Sequence, residues 1–247
     1  EKIITNGKSR SIIQSKYEIE SDDIFINLNE EIISSNKKNL IKDDKSNVYN
    51  LDKFTYLVKK ELLKGEDIVA TSNFSLPKSD KLFFSDAIID LKNQNFVAKD
   101  TKIQLHNEAF GNPDNNPRLI GVSSKKKGSV TNIEKGIFTS CKINEKCPSW
   151  SIQAKNIKHN KTKKQIIYDN AFLRIYDFPI LYFPKFFHPD PSVERQSGLL
   201  KPLLNNSHIL GSSITLPYYI ANELNKDFTL TPTLFDKNMQ MLQLEYR

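Results

Sequence analysis

Ala171-Phe-Leu-Arg-Ile-Tyr-Asp-Phe-Pro-Ile-Leu-Tyr-Phe-Pro-Lys-Phe-Phe-His-Pro-Asp-Pro191 decides how this chain is read. Four prolines alternate there with aromatic pairs. A proline has no amide to donate to a sheet, so no central, ladder-bonded strand is expected through the stretch. It reads as a junction. Before it lies a long series of Lys- and Asn-rich segments in which apolar and polar residues alternate. After it the alternating runs are longer and cleaner, as expected of strands that face lipid on one side.

On the N-terminal side, Ile24, Ile26 and Leu28 alternate with Asp23, Asn27 and Asn29, which is strand periodicity. Polar turns at 36–39 and 42–45 follow, then Phe54, Tyr56 and Val58 on one face. Ile89 and Leu91 lead into Lys92-Asn-Gln-Asn95, and the chain returns through Phe96 and Ala98 to Ile103 and Leu105, a hairpin signature. Ile152, Ala154 and Ile157, the turn His159-Asn-Lys-Thr-Lys163, and then Ile166, Tyr168 and Phe172 repeat the layout. Strand, polar turn and returning strand thus recur without the strict period of a solenoid, and a β jelly roll or open sandwich is the natural reading.

On the C-terminal side, Phe228, Leu230, Pro232 and Leu234 alternate with threonines 229, 231 and 233, and Leu242, Leu244 and Tyr246 alternate with Gln243, Glu245 and Arg247. Ile214, Leu216, Tyr218 and Ile220 form an earlier run of the same kind. Runs of about nine residues match a tilted strand that crosses a bilayer. An amphipathic strand of a soluble sandwich has the same pattern, so these runs alone leave both readings open. The expected boundaries are a β jelly roll or open sandwich over 1–178, a proline-rich linker over 179–197 and amphipathic strands of this longer kind over 198–247.

Composition narrows the function classes. The 247 residues carry a net charge of +7, with lysines scattered among asparagines and isoleucines and Lys125-Lys-Lys127 as the longest run. Nucleic-acid binding needs basic residues interleaved with stacking aromatics on one face or a recognisable module, and neither is present. There is no apolar run long enough for a membrane-spanning helix, a criterion that a closed barrel escapes. Glu1 to Arg10 contain no signal-peptide core, so either a signal has been removed or the chain is a piece of a longer protein; the last residues lie inside an alternating run, which favours the piece.

Catalytic signals are absent. His106, His159, His188 and His208 form no metal-binding spacing, and no nucleophile elbow, phosphate loop or dinucleotide fingerprint occurs, so neither an enzyme nor a cofactor is expected. Trp150, the sole tryptophan, reads as a core anchor. Cys141 and Cys147 are the only cysteines. Two thiols without a nearby histidine do not make a structural zinc site. A disulfide in an oxidising compartment and two buried thiols both remain open; a loop so short would contribute roughly 2 to 2.5 kcal/mol if bridged without strain.

Five motifs carry a family resemblance: Phe138-Thr-Ser-Cys141; Pro148-Ser-Trp150 with Ala154; Phe178-Pro-Ile-Leu-Tyr-Phe-Pro184; Arg195-Gln-Ser-Gly-Leu-Leu-Lys-Pro202; and Leu216-Pro-Tyr-Tyr219. In this order and spacing they resemble the LptD family of lipopolysaccharide-assembly outer-membrane proteins, also called organic solvent tolerance proteins. The resemblance implies an all-β chain: a periplasmic jelly roll of the type shared with the soluble bridge proteins, followed by the first strands of an outer-membrane β-barrel. It implies transport of lipopolysaccharide to the outer leaflet without covalent chemistry. The expected partners are lipopolysaccharide, outer-membrane lipid, an LptA-type bridge protein and an LptE-type lipoprotein plug. Ile24, Ile26, Leu28, Phe54, Tyr56, Val58, Ile89 and Leu91 are the candidates to line a greasy groove. Pro202 and Pro217 match positions where prolines weaken a lateral gate. In the family a cysteine at the Cys141 position can bridge to cysteines near the end of the barrel, with Cys147 a local alternative. A self-contained soluble bridge module is the second reading, and a jelly-roll enzyme acting on polysaccharide is the third.

Overall fold

The computed structural model describes residues 1–72, 79–106, 116–142, 148–190, 193, 197–200, 202–223 and 226–247. They form two compact units, Glu1–Phe186 and Phe187–Arg247. The described elements are all β apart from one 3-10 turn at Val58–Lys60.

In the first unit, short strands come in pairs that lie end to end. These are β1 (Lys2–Ile4) and β2 (Ser9–Ile13), β3 (Tyr17–Ser21) and β4 (Phe25–Asn27), β5 (Ile32–Ser35) and β6 (Asn39–Lys42), and β7 (Val48–Leu51) and β8 (Lys53–Leu57). Long strands follow: β9 (Leu62–Thr71), β10 (Lys81–Asp90), β11 (Asn95–Gln104), β12 (Arg118–Lys127), β13 (Val130–Thr139), β14 (Trp150–Asn160), β15 (Gln165–Ile175) and β16 (Phe178–Pro189). β9 joins the two sets. Its first half pairs with β8, from Leu57↔Leu62 to Lys53↔Glu66, and its last residues pair with β7, from Asn50↔Val69 to Val48↔Thr71. The unit is therefore one antiparallel meander creased lengthwise. One layer runs through β1, β4, β5 and β8 and the other through β2, β3, β6 and β7, and every strand from β9 to β15 crosses from one layer to the other.

The crease has a local cause. Asp67, Asp100, Lys135 and Asn170, each the sixth residue of β9, β11, β13 or β15, adopt left-handed φ of +49°, +44°, +47° and +52°. A left-handed residue inside a strand breaks the pleat and bends it, as in a bulge. Pairing is interrupted beside each one, for example between Glu134↔Asn156 and Gly136↔Ala154. Small residues fill the inside of the bend: a Cβ on Gly136 would stand 2.5 Å from Ile157 Cδ1.

Between the layers lie two apolar clusters. One contains Ile19, Ile41, Phe54, Tyr56, Leu63, Ile68 and Leu91, and the other Leu119, Ile133, Phe138, Ile157, Ile166 and Tyr168; Leu82 packs on both. Each fully buried side chain of this size contributes about 1.5 to 3 kcal/mol. The hairpins read at 92–95 and 159–163 are present as β10–β11 and β14–β15. Phe172 departs from the reading. The bend at Asn170 shifts the alternation, so Ala171 is buried and Phe172 is 42% exposed.

The linker expected from residue 179 is instead a strand as far as Pro189, and the first unit continues to Phe186 rather than ending at 178. The physical reason is position: β16 is the edge of the sheet, next to β15 alone, and an edge strand tolerates missing donors.

The second unit is a separate sheet of β17 (Gly198–Leu199), β18 (Leu203–Ser207), β19 (Gly211–Thr215), β20 (Tyr218–Glu223), β21 (Lys226–Phe235) and β22 (Gln240–Tyr246). β17 pairs with β20 and β18 with β19, while β21 pairs with both β19 and β20 on one side and with β22 on the other. Six strands thus make four runs: β17 ends at Leu199 and β18 begins at Leu203, and β19 ends at Thr215 and β20 begins at Tyr218.

Candidate functional site

The eight groove candidates divide by position. Ile24, Phe54, Tyr56, Ile89 and Leu91 are 1 to 4% exposed in the first apolar cluster, and Ile26 and Val58 pack against it half-buried. Leu28 lies in the turn after β4 and is 45% exposed. Seven of the eight therefore share the interior, where Tyr17 meets Tyr56 edge-on with centroids 5.7 Å apart. The Tyr56 hydroxyl has no hydrogen-bond partner in this interior. Burial first, and the Glu61 charge second, push its pKa up to about 12.

Opposite the crease, the turns at the layer edges meet and polar contacts lace them together. The Tyr17 hydroxyl donates to Glu61 Oε2 at 2.6 Å, and burial together with this carboxylate raises the Tyr17 pKa. Asp43 in the β6–β7 turn accepts from the Asn47 amide nitrogen and side chain, both at 2.8 Å, from Tyr49 at 3.2 Å and from Gln94 Nε2 of the β10–β11 turn at 3.1 Å. Lys45 Nζ donates to the Lys92 carbonyl at 2.8 Å. Farther along, Lys161 of the β14–β15 turn pairs with Asp80 at 2.7 Å. Sequence reading missed the contacts between different turns, since their partners stand 44 to 81 residues apart.

In the second unit the interruptions coincide. Leu199↔Tyr218 and Leu203↔Thr215 flank both, so the Pro202 and Pro217 breaks lie side by side in adjacent runs. The Leu200 amide donates to the Pro217 carbonyl at 2.8 Å, and the Leu216 amide donates to the Pro232 carbonyl at 3.0 Å. In an antiparallel pair each residue normally returns the bond it receives. Neither proline can, so each of these pairs holds one bond where two are usual. Leu216 directs its amide toward β21. Pro232 joins the row although sequence reading did not single it out; the signal was the recurrence of proline every fifteen positions at 202, 217 and 232.

Burial in this sheet is inverted relative to the first unit. Thr215, Thr229 and Thr233 are buried, with Thr215 and Thr233 hydroxyls 2.9 Å apart, while Leu204, Leu234, Leu242 and Leu244 are 47 to 67% exposed.

Cys141 is a free thiol next to Ser149 Oγ at 3.2 Å, and Cys147 lies outside the described residues. Burial pushes the Cys141 thiol up, but hydrogen bonds with Ser149, Thr139 and the backbone outweigh it and bring the pKa below the ordinary value. Trp150 rests on Phe138, with centroids 5.9 Å apart. Among the described residues no group of three or more His, Cys, Asp or Glu is placed to hold a metal, and no helix is long and apolar enough to cross a membrane.

No family model matches the chain. It is similar to the LPS-assembly protein LptD of Legionella pneumophila (strain Lens), 34% identical over 115 residues that cover 47% of this chain and 13% of that protein. The LPS-assembly protein LptD of Pseudomonas aeruginosa (strain UCBPP-PA14) is 30% identical over 125 residues, covering 51% and 13%. That of Aeromonas salmonicida (strain A449) is 28% identical over 186 residues, covering 74% and 22%. The resemblance to LptD carried by the five motifs is thus borne out, over a span of 13 to 22% of the length of these curated relatives.

Proposed function

We propose that this chain, similar to LptD over about half its length, serves lipopolysaccharide transport and insertion into the outer leaflet of the outer membrane. In this reading the first unit is a periplasmic jelly roll whose apolar interior carries acyl chains, and the second contributes the opening strands of a membrane barrel. The observation that carries it is the inverted burial of the second sheet: leucines outward and threonines inward cost free energy in water and fit lipid. A soluble bridge module, the second reading, leaves that apolar face without a role.

The partners follow from the same layout. β1 and β2 are edges of the two layers, with one sheet neighbour each, and edge strands accept an added strand from another β protein. This is where an LptA-type bridge would dock, and an LptE-type lipoprotein would plug the completed barrel. The row of prolines supports a lateral gate: Pro202, Pro217 and Pro232 each remove a donor, worth about 0.5 to 1.5 kcal/mol in water and more where lipid offers no substitute. No step of covalent chemistry is involved.

The test places a photo-crosslinker at Tyr56 in the complete protein and replaces Pro202 and Pro217 with alanine. The double variant should assemble, deliver less lipopolysaccharide to the surface and show several-fold more crosslinking at Tyr56. Unchanged surface delivery by a normally assembled barrel would reduce these prolines to ordinary edge residues. Labelling confined to an outward position such as Asn27 would remove the interior as the route.

A further inference from the structure

Two buried tyrosines of the first unit have their hydroxyls satisfied: Tyr17 donates to Glu61 at 2.6 Å and Tyr49 to Asp43 at 3.2 Å. Tyr56 is 1% exposed and its hydroxyl has no hydrogen-bond partner among the described residues. Its register partners, Ile33 of β5 and Leu63 of β9, are buried and apolar. A dehydrated, unpaired hydroxyl opposes folding, and native interiors rarely keep one. Phenylalanine would fill the same space without that cost. Phe54, on the same face of β8, is itself buried, so this layer accommodates a phenyl ring. The oxygen of Tyr56 is therefore what needs an explanation.

Its place in the fold suggests one. After β8 and the 3-10 turn, Glu61 adopts a left-handed φ of +48°. The Glu61 carbonyl accepts from the Leu91 amide at 3.0 Å, which fixes the turn, and its carboxylate takes the Tyr17 hydroxyl from the other layer. Tyr17 also packs edge-on against Tyr56, with centroids 5.7 Å apart. The ring that holds Tyr56 in place is thus the ring that ties the layers together opposite the crease. A chain lying in the interior with its polar head outside this seam passes Tyr56 close to its head end.

We propose that the Tyr56 hydroxyl donates to an oxygen near the head end of an acyl chain held in the interior, a linkage carbonyl or a β-hydroxyl, so that the first unit discriminates oxygenated acyl chains from plain alkyl chains. The inference rests on the lipid-carrying reading above and adds to it a specificity-determining residue. Tyr56 has already lost its water on folding, so pairing costs only the dehydration of the incoming oxygen. Its ring is held by packing, so little side-chain freedom is lost on binding. One hydroxyl then acts with opposite signs on two properties: it lowers the stability of the empty protein and raises affinity for the oxygenated chain.

The experiment uses the full chain and three uncharged amphiphiles with one sugar head and one chain length: an ether-linked alkyl chain, an ester-linked acyl chain and an ester-linked β-hydroxyacyl chain. Affinity is read by displacement of a fluorescent alkyl probe. Tyr56→Phe should weaken binding of the β-hydroxyacyl amphiphile by about threefold to tenfold, leave the ether unchanged and raise the melting temperature of the lipid-free protein. Equal weakening of both esters identifies the carbonyl as the partner, and weakening of the β-hydroxyacyl ester alone identifies the hydroxyl. Weakening of all three alike, or of none, overturns the site. A lower melting temperature without lipid also overturns it, because the hydroxyl would then be paired in the empty protein. Tyr17→Phe keeps a ring against Tyr56 and removes the seam bond, and should move all three affinities together; loss of discrimination in that variant would assign the oxygen to Tyr17 and overturn the proposal. If the wild type binds all three and Tyr56→Phe changes nothing, the site fails while the lipid-carrying reading stands; if the wild type binds none, that reading fails as well.

Discussion

The two units use the same alternating pattern in opposite senses. In the first, Leu119, Ile133, Ile157 and Ile166 are fully buried between two layers. In the second, β22 is exposed along its whole length, Leu242 and Leu244 at 66 and 67%, while threonines of β19 and β21 are buried. A period of two therefore says that a strand has two unlike faces and does not say which faces its own protein. The surroundings decide that: a crease gives the first unit a second layer to close against, whereas in the second sheet it is the threonine positions that are covered.

The largest test of this contrast is one truncation made twice. Leu119→Ala should cost the first unit about 2 to 5 kcal/mol, the range for a fully buried leucine, read as a lower denaturation midpoint by the fluorescence of Trp150. Leu244→Ala should change the second unit by no more than about 0.5 kcal/mol, as surface substitutions do, read from hydrogen exchange of β21 in detergent. Comparable losses at both sites would mean that β22 packs against protein, and the contrast would fail.

An intermediate effect is expected at the crease, which creates the difference. Gly136→Ala places a Cβ 2.5 and 2.7 Å from Ile157 Cδ1 and Cγ1, and such overpacking costs about 1 to 3 kcal/mol. Adding Ile157→Val removes the Cδ1 carbon and should restore part of the loss. Additive losses in the double variant would show that Ile157 is not what Gly136 makes room for.

The sequence made the hairpins legible and the crease illegible. Turns at 92–95 and 159–163 announce themselves by composition, and apolar alternation on either side does the rest. The crease is written only as a slip, two successive polar residues such as Glu66-Asp67, Lys99-Asp100, Glu134-Lys135 and Asp169-Asn170 inside otherwise alternating strands. No glycine marks the left-handed residue. Asp, Lys and Asn take it because neighbouring strands hold them there, a tertiary effect that local propensity does not carry. The slip at Asn170 is what moved Phe172 off the inner face. Prolines 179, 184 and 189 suggested a linker for a related reason: a missing donor excludes a central strand but not an edge, and edge position is fixed by topology. Seven of the eight groove candidates were legible as inward, while the contacts between distant turns could be brought together only by the fold.

The smallest effect sharpens what kind of interior the first unit has. Tyr56 is 1% exposed and its hydroxyl has no partner, so the folded state retains a dehydrated, unpaired polar group. Tyr56→Phe removes that group with little change of shape and should stabilise the unit by about 1 kcal/mol or less at neutral pH. The ionisation has a definite sign. An unfolded tyrosine releases its proton near pH 10, whereas the folded Tyr56 holds it to about pH 12 because burial and the Glu61 charge oppose the phenolate. Between these values the folded state binds more protons than the unfolded one, so stability is constant below pH 10 on this account and falls as pH rises toward 12. Tyr17, Tyr49 and Tyr168 are shifted in the same direction and contribute to the same alkaline loss. Tyr56→Phe should therefore flatten only part of that limb, with its advantage over the wild type growing between pH 10 and 12 in urea melts followed by Trp150. A variant less stable than the wild type at pH 7, or one with an unchanged alkaline slope, would mean that the hydroxyl is paired in solution and that the interior is already adapted to a polar occupant at this point.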